Sequence, residues 1–600
     1  MKLSDYVIDR LISAGIKQVF MLPGGGAMHL NDSLGRRRSE IAFVPMLHEQ
    51  AVSIAAEGAA KATNEIGVAM VTSGPAGTNA VTGCAGAWLD SMPCLFLSGQ
   101  VKRPDLKGDS GLRQLGSQEV DIVQIVAPIT KYAVTITEPT SIRYHLEKAL
   151  YLAKAGRSGP VWLDFPLDVQ AYPIEPAELE GFTPPAEPMF GDTSAETAEV
   201  IRMLQAAKRP VIVAGNGIHV ADAVTEFREA VERIGAPILT TWLAMDLLPD
   251  ESPYFGGRPG AIAPRGANFS LQNADLMIVI GSRLDMAFTA YAHEKLAREA
   301  IKVMVDVDAA EIAKMRTKIH LPIQQDARVF LRELLVQLKD VKLPDYGEWL
   351  GRVQEWKQKY PLLQPEHRDA AEKVSVYQFS DVLSGLLSEG DLVVSGSSGT
   401  AVELFLLAFR VKERQRVFHT RGLGAMGFAI PAAIGACIAA GRPHTVCIDG
   451  DGGFQMNIQE LATVASLRLP IKFFVINNDG YASIRSSQQG YFKHLVAADS
   501  TSGLALPDLQ KVAAGFDVPS VRIENQNNLA ADLRAVLDRE GPVVCEIMAL
   551  PDEQRIPRVT AVQRPDGIMV SKPLEDLFPF LDREEFRSNM IVAPLEESLT

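Results

Sequence analysis

The chain has 600 residues, 47% of them hydrophobic and 22% charged, a balance ordinary for a soluble globular protein and a length too great for one core. Its formal net charge of −14 argues against a nucleic-acid or anionic-membrane surface, although it says nothing about an anionic ligand held in a locally built site. The five cysteines (Cys84, Cys94, Cys437, Cys447, Cys545) form no CxxC pair and are odd in number, so they read as small apolar residues in a reducing compartment, not as a disulfide frame or zinc site.

In chain order, MKLSDYVIDRLISAG opens as an amphipathic helix pattern with charges throughout, so no signal peptide is expected. Short apolar runs then alternate with helical patterns nearly to the end. Buried-strand runs are VAMVTS at 68–73, PCLFLSGQ at 93–100, PVIVAG at 210–215, LMIVIGS at 276–282, HTVCIDG at 444–450 and KFFVINN at 472–478. That alternation is the mark of α/β architecture, and it predicts doubly wound parallel sheets. Two stretches break the rhythm: the Pro/Glu/Ala-rich segment from Tyr172 to Thr193, and the charged segment from Val341 to Glu372 with Pro344, Pro361 and Pro365. Read as linkers, they divide the chain into domains at 1–170, 190–340 and 373–550, followed by a tail at 551–600. The longest apolar stretch, around 425–440, is too interrupted by Gly and Ala to span a bilayer, so a soluble cytoplasmic protein is expected.

The strongest chemical signal is GDGGF at 450–454 followed by NNDGY at 477–481. The strand HTVCIDG should deliver Asp451 at its carboxyl end, where α/β sheets bind ligands. Gly450, Gly452 and Gly453 let the backbone turn tightly and approach phosphate oxygens, with the positive end of the next helix facing them. The strand KFFVINN then brings Asn478 and the Gly480 carbonyl to the same edge. Mg²⁺ takes an octahedron of oxygens, and Asp451, Asn478, the Gly480 carbonyl and two diphosphate oxygens meet that need.

The pair of motifs resembles that of thiamine-diphosphate enzymes. Five further segments (QVFMLPGGGAMHLNDSL at 18–34, HEQAVSIAAEGAAKA at 48–62, MVTSGPAGTNAVTG at 70–83, RSGPVWLDFPLDV at 157–169 and GLGAMGFAIPAAIGA at 422–436) are similar to acetolactate synthase and its relatives. The resemblance implies a pyrimidine-binding domain at 1–170, a central domain that often holds FAD at 190–340, and a diphosphate-binding domain at 373–550. It also implies a homodimer or homotetramer with each active site between two chains. It assigns Glu49, in HEQA, as the acid that hydrogen-bonds the cofactor's pyrimidine ring, and Met426 as the bulky apolar residue that bends the cofactor. Gly25, Gly26, Thr72, Asn79, Gly424 and Tyr481 fall in its cofactor-binding segments. Gln118 and Lys131 match residues on the donor side, and His29 matches a position where some acyloin-forming relatives place a histidine, which could serve as acid/base. Glu403, His48 and His419 are weaker candidates. Gly215, Gly281, Arg283 and Asp306 lie in segments resembling the flavin-holding strand ends.

Three departures from the family pattern point to the acceptor. GSRLDMAF at 281–288 keeps Arg283 and Asp285 but has Ala287 where synthases carry the arginine that grips the second keto acid. A desolvated carboxylate needs a paired cation, so a second pyruvate should be a poor acceptor. Ser487 stands in place of a tryptophan and Ser117 in place of a phenylalanine, which leaves a roomier pocket with hydroxyls at Ser117, Ser486 and Ser487. The expected activity is decarboxylation of a 2-keto acid, pyruvate, with transfer of the two-carbon carbanion to a bulky carbonyl such as a keto-sugar nucleotide. Acetolactate synthesis and hydrolytic cleavage of a cyclic diketone are the alternatives.

Overall fold

The computed structural model, which describes residues 1–186, 189–370, 372–397, 399–563, 567 and 569–598, contains three six-stranded sheets in which every neighbouring pair is parallel. The first comprises β1 (Gln18–Met21), β2 (Ala42–Pro45), β3 (Gly67–Val71), β4 (Cys94–Gln100), β5 (Tyr132–Thr135) and β6 (Val161–Pro166), in the order β2-β1-β3-β4-β6-β5. The second comprises β7 (Pro210–Ala214), β8 (Ile238–Thr240), β9 (Phe255–Gly257), β10 (Leu276–Ile280), β11 (Ile301–Asp306) and β12 (Leu321–Gln324), in the order β12-β11-β10-β7-β8-β9. The third comprises β13 (Leu392–Ser395), β14 (Arg416–Phe418), β15 (Thr445–Gly450), β16 (Ile471–Asn477), β17 (Ser520–Ile523) and β18 (Val543–Met548), in the order β14-β13-β15-β16-β18-β17. The inner strands β3, β4, β7 and β10 are buried at every position, which is why they read as continuous apolar runs: helices cover both faces.

The first and third sheets have the same order when each is numbered from its own first strand. The second, read from β9, has the order of dinucleotide-binding folds. In each sheet the chain leaves neighbouring strands in opposite directions at one inner position, between β1 and β3, β7 and β10, and β13 and β15. Loops leaving those neighbouring strands diverge to opposite faces and open a crevice at the carboxyl edge. Each crevice is floored by a close backbone approach that only glycine permits. Gly24 and Gly26 lie directly on Thr72 and Ser73, Gly215 on the backbone of Gly281 and Ser282, and Gly396 on the Asp449 carboxyl.

The first and third sheets share one core through the helices Glu49–Thr63 and Ala429–Ala439. Small residues let them touch backbone to backbone: a Cβ on Gly58 would strike the Ala432 carbonyl, and one on Gly435 the Ala55 carbonyl.

Three expectations are corrected. The stretch 341–372 is no loose linker, because Gly347–Lys359 is a helix whose Trp349, Val353 and Trp356 pack into the core of the second sheet. The i, i+4, i+7 spacing of those residues is visible in the sequence, but the surrounding prolines and charges masked it. The stretch 172–193 is tied down in part: Ile174 and Leu179 join the core of the first sheet and Phe182 packs edge-on to Tyr144. The tail is built into the central domain over 572–598: Leu574 and Phe586 are core residues, and Asn273 Oδ1 accepts from the backbone of Ile591 and Val592. Among the described residues no helix is long and apolar enough to cross a membrane.

Candidate active site

At the crevice of the third sheet, β15 ends on Gly450 and Asp451 begins a short helix, while the adjacent β16 runs into Asn478. Asp451 is 6% exposed; its Oδ1 accepts from Gly452 N–H at 2.8 Å and its Oδ2 from Gly480 N–H at 2.7 Å. Burial pushes its carboxyl up to about 6, against the pull of those two N–H groups. Asn478 is also buried, and its side-chain amide makes no hydrogen bond to another described residue. Gly480 takes φ +97°, and the Tyr481 ring lies on Gly452 where a side chain would otherwise stand. A buried carboxylate, an uncommitted amide and a loop carbonyl converge here, and this donor set suits Mg²⁺ carrying phosphates. Gly453 permits the approach of Asp449, since a Cβ there would come within 2.6 Å of Asp449 Oδ1. Gly450 has only an alanine methyl near it. Arg485, missed in the sequence, braces the loop: its guanidinium donates to the carbonyls of Asn478 at 3.0 Å and Asp479 at 2.9 Å.

On the first sheet, Glu49 is the first residue of its helix, half-buried, and accepts from Asn79 Nδ2 at 2.9 Å. Thr72 Oγ1 is buried beneath Gly24 and Gly26 without a partner, whereas Gly25 faces open space. Gln118 is exposed at φ +66°, its carbonyl close over Gly74. Its neighbour Glu119 organises that loop by accepting from the N–H groups of Lys107 (2.6 Å), Leu115 (2.7 Å) and Gly116 (3.3 Å). Glu119 follows the donor-side candidate Gln118 in sequence, and nothing local in the sequence gives it this role. His29 is half-buried in the helix Met28–Arg36, and desolvation lowers its imidazole below the usual range. Gly424 (φ +65°) and half-buried Met426 lie on the 421–427 loop. Among the described residues Glu49–Asn79 and Asp451–Gly480 are separate clusters with no hydrogen bond between them, and Leu47 N–H, two residues before Glu49, donates to Glu460 Oε1 at 2.9 Å.

A cavity of about 870 Å³ lies elsewhere, in the crevice of the second sheet. Gly281, Arg283 and Asp306 line it, as do Ala287, Arg421 and Arg555. Gly215 does not reach the wall: it packs beneath Gly281, and Gly217 is the glycine that faces the cavity. Burial raises the Asp306 carboxyl to about 6. Arg421 Nε pairs with Asp285 at 3.2 Å and Arg555 with Glu403, so both guanidiniums are already matched.

The remaining candidates have structural work. His48 Nδ1 caps its helix by accepting from Gln50 N–H at 3.0 Å. His419 is fully buried, and desolvation takes it down to about 4, so it is neutral. The Lys131 ammonium donates to the Ala155 carbonyl at the end of the helix Ile142–Lys154. Ser487 is exposed and donates to Ser483 O at 3.0 Å; Ser117 and Ser486 are exposed.

Three crevices on three parallel sheets, one with a donor set that suits a metal-bound diphosphate, fit a thiamine-diphosphate enzyme, and the sequence comparisons show that class. Three family models match in sequence: the thiamine pyrophosphate enzyme N-terminal TPP binding domain over 1–125, the central domain over 197–334 and the C-terminal TPP binding domain over 396–547. The acetolactate synthase large subunit of Lactococcus lactis is 33% identical over 562 residues, covering 93% of this chain and 94% of that protein. The large subunit from Cyanidium caldarium is 30% identical over 92% of this chain and 94% of its own length. The chloroplastic acetolactate synthase 1 of Zea mays is 31% identical over 93% of this chain and 86% of its own length. The chain belongs to the thiamine-diphosphate-dependent, acetolactate synthase-like family of enzymes.

Proposed function

We propose that the chain decarboxylates pyruvate and joins the two-carbon unit to a bulky carbonyl acceptor, a keto-sugar nucleotide. Thiamine diphosphate, when bound, would supply the nucleophilic carbon that decarboxylation and two-carbon transfer require. Asp451, Asn478 and the Gly480 carbonyl would hold its Mg²⁺, and Gly450 would leave room for the phosphates, whereas Gly452 and Gly453 make space for the Tyr481 ring and the Asp449 carboxyl. Glu49, oriented by Asn79, holds the proton balance at the pyrimidine ring. Gln118 and His29 face the donor and acceptor from the first domain, and His29, held neutral, is suited to take or give a proton at the acceptor oxygen.

The observation that carries the acceptor reading is Ala287 on the cavity wall where neighbouring Arg421 and Arg555 are already paired with Asp285 and Glu403. With alanine at 287 a second keto acid would find no cation at that position, and Arg421 and Arg555 are committed to carboxylates of this chain. The second reading, acetolactate synthesis, is favoured by the relatives' names. FAD fits the central crevice: the strand order is that of dinucleotide folds, and Asp306 stands at a strand end, where acidic residues accept from ribose hydroxyls. A homodimer or homotetramer is supported by apolar side chains left exposed beside the site residues, namely Met28, Leu47, Leu112, Leu115, Leu423 and Phe492.

The test is mass spectrometry of products from pyruvate, thiamine diphosphate and Mg²⁺, with and without a 4-keto-sugar nucleotide. A sugar adduct with little acetolactate is expected. Abundant acetolactate in both mixtures overturns the acceptor assignment, and absence of CO₂ release points to diketone cleavage.

A further inference from the structure

All three domains meet at the turn Leu89–Asp90, which ends the helix Pro75–Leu89. From the central domain, Arg283 Nη1 donates to the Leu89 carbonyl at 3.3 Å. From the third, the backbone of Arg421 donates to Asp90 Oδ2 at 3.1 Å and that of Gly422 to Asp90 Oδ1 at 2.7 Å. Lys61 Nζ also reaches Asp90 Oδ2, at 2.8 Å, and lies 3.4 Å from Glu57 Oε1; all three side chains are 2% exposed or less. Buried ions are a poor source of stability, because their desolvation offsets their attraction, and their best-attested use is to fix register. Here the register is that of a loop. One carboxylate holds two consecutive N–H groups by charge-assisted bonds, and those groups begin the 421–427 segment.

That segment can take few other anchors. It turns through Gly424 (φ +65°) and Gly427 (φ +82°), and it carries Met426 between them. Its far end is tied as well: Asn457 Nδ2 donates to Gly427 O at 2.7 Å and lies 3.3 Å from Gln50 Oε1, next to Glu49. Both ends of the loop are therefore referenced to the first domain. The fit at the Asp90 end is close, since a Cβ on Gly422 would come within 2.6 Å of Leu89 Cβ and 2.9 Å of Asp90 Oδ1.

We infer that Asp90, held by Lys61, is a positioning residue for the reaction: it fixes the 421–427 loop and with it the placement of Met426 against thiamine diphosphate. The inference rests on the proposed role of Met426. The test is titration of apoprotein with thiamine diphosphate at saturating Mg²⁺, read by the fluorescence of Trp242, which stacks on Arg421, and by the circular-dichroism band of the bound cofactor. Asp90→Asn keeps the shape and removes the charge. It is expected to weaken cofactor binding about tenfold or more and to alter the band, whereas Lys61→Arg stays near wild type. Gly422→Ala, on a half-buried loop, should act in the same direction and carries the test if Asp90→Asn does not fold. Wild-type affinity and an unchanged band in both variants, whatever their melting temperatures, overturn the inference. Met426→Ala separates the two levels. If it too leaves affinity and band unchanged, the role of Met426 fails; if it changes them while Asp90→Asn and Gly422→Ala do not, only the role of Asp90 fails.

Discussion

Ending the chain after Ser571 is expected to unfold the central domain, not merely to slow turnover. Leu574, Leu577, Phe586 and Val592 are each 3% exposed or less. At about 1.5–3 kcal/mol per fully buried side chain of this kind, their burial contributes roughly 6–12 kcal/mol. The polar losses add to that. Glu575 pairs with Arg298 at 2.7 Å and accepts from Gln272 Nε2 at 2.7 Å, while Asn273, Asn268 and Trp356 also bond to tail atoms. Each buried partner left unsatisfied costs about 1–3 kcal/mol more. The sum equals or exceeds the ~5–15 kcal/mol by which a domain is ordinarily stable. Urea unfolding followed by tryptophan emission reads this directly, because Trp356 Nε1 donates to Asn589 Oδ1. A truncated protein with the full-length midpoint and emission would refute the reasoning.

Glu49→Gln should lower pyruvate decarboxylation about 100-fold while cofactor binding, measured by titration, persists, because the amide can still meet Asn79. Burial raises the Asp451 carboxyl to about 6, so below that pH its proton competes with the metal. Mg²⁺ affinity by calorimetry should be flat above about pH 6 and fall about tenfold per unit below it, and a flat profile down to about pH 4 would remove Asp451 as a ligand. Gly281→Ala places a Cβ 2.8 Å from Gly217 Cα at φ +61°, so it should destabilise the protein by about 1–3 kcal/mol and remove any flavin absorbance that the purified wild type carries. Asp246→Ala strands Arg416 (2.6 Å) and His219 (2.8 Å) and should cost about 3–5 kcal/mol in urea unfolding. Despite burial, Arg416 and His219 hold the Asp246 carboxyl well below its usual range. Its contribution is therefore present above about pH 4 and lost only as acidification passes through the depressed value, so the Asp246→Ala penalty should shrink in strong acid.

The architecture was legible because buried parallel strands leave an unmistakable record: KFFVINN and LMIVIGS carry the unbroken apolar runs FFVI and LMIVI, since helices cover both faces. Asp451 and Asn478 were legible for a related reason, as strand ends at a crevice accept few side chains. What escaped was long-range. Asp90 reads as an ordinary turn residue after a helix, and nothing local says that it meets residues 421–422. The role of Glu119 escaped as well, because its three N–H partners come from a loop without periodicity. The helix Gly347–Lys359 was hidden by its flanks, and the tail by its polar turns, although its apolar residues fill the central core. Gly215 and Gly217 share one glycine-rich turn, and only the crossing with Gly281 decides which of the two faces the cavity.

The helices Glu49–Thr63 and Ala429–Ala439 occupy corresponding positions, each entering the third strand of its sheet, and each offers a glycine to the other's carbonyl. The contact is thus self-complementary within a single polypeptide, arranged about a pseudo-dyad as an isologous dimer interface would be. Gly58 and Gly435 are therefore symmetry mates in effect: enlarging either one should wedge the same joint open from opposite sides, and the two substitutions together should fall short of additive.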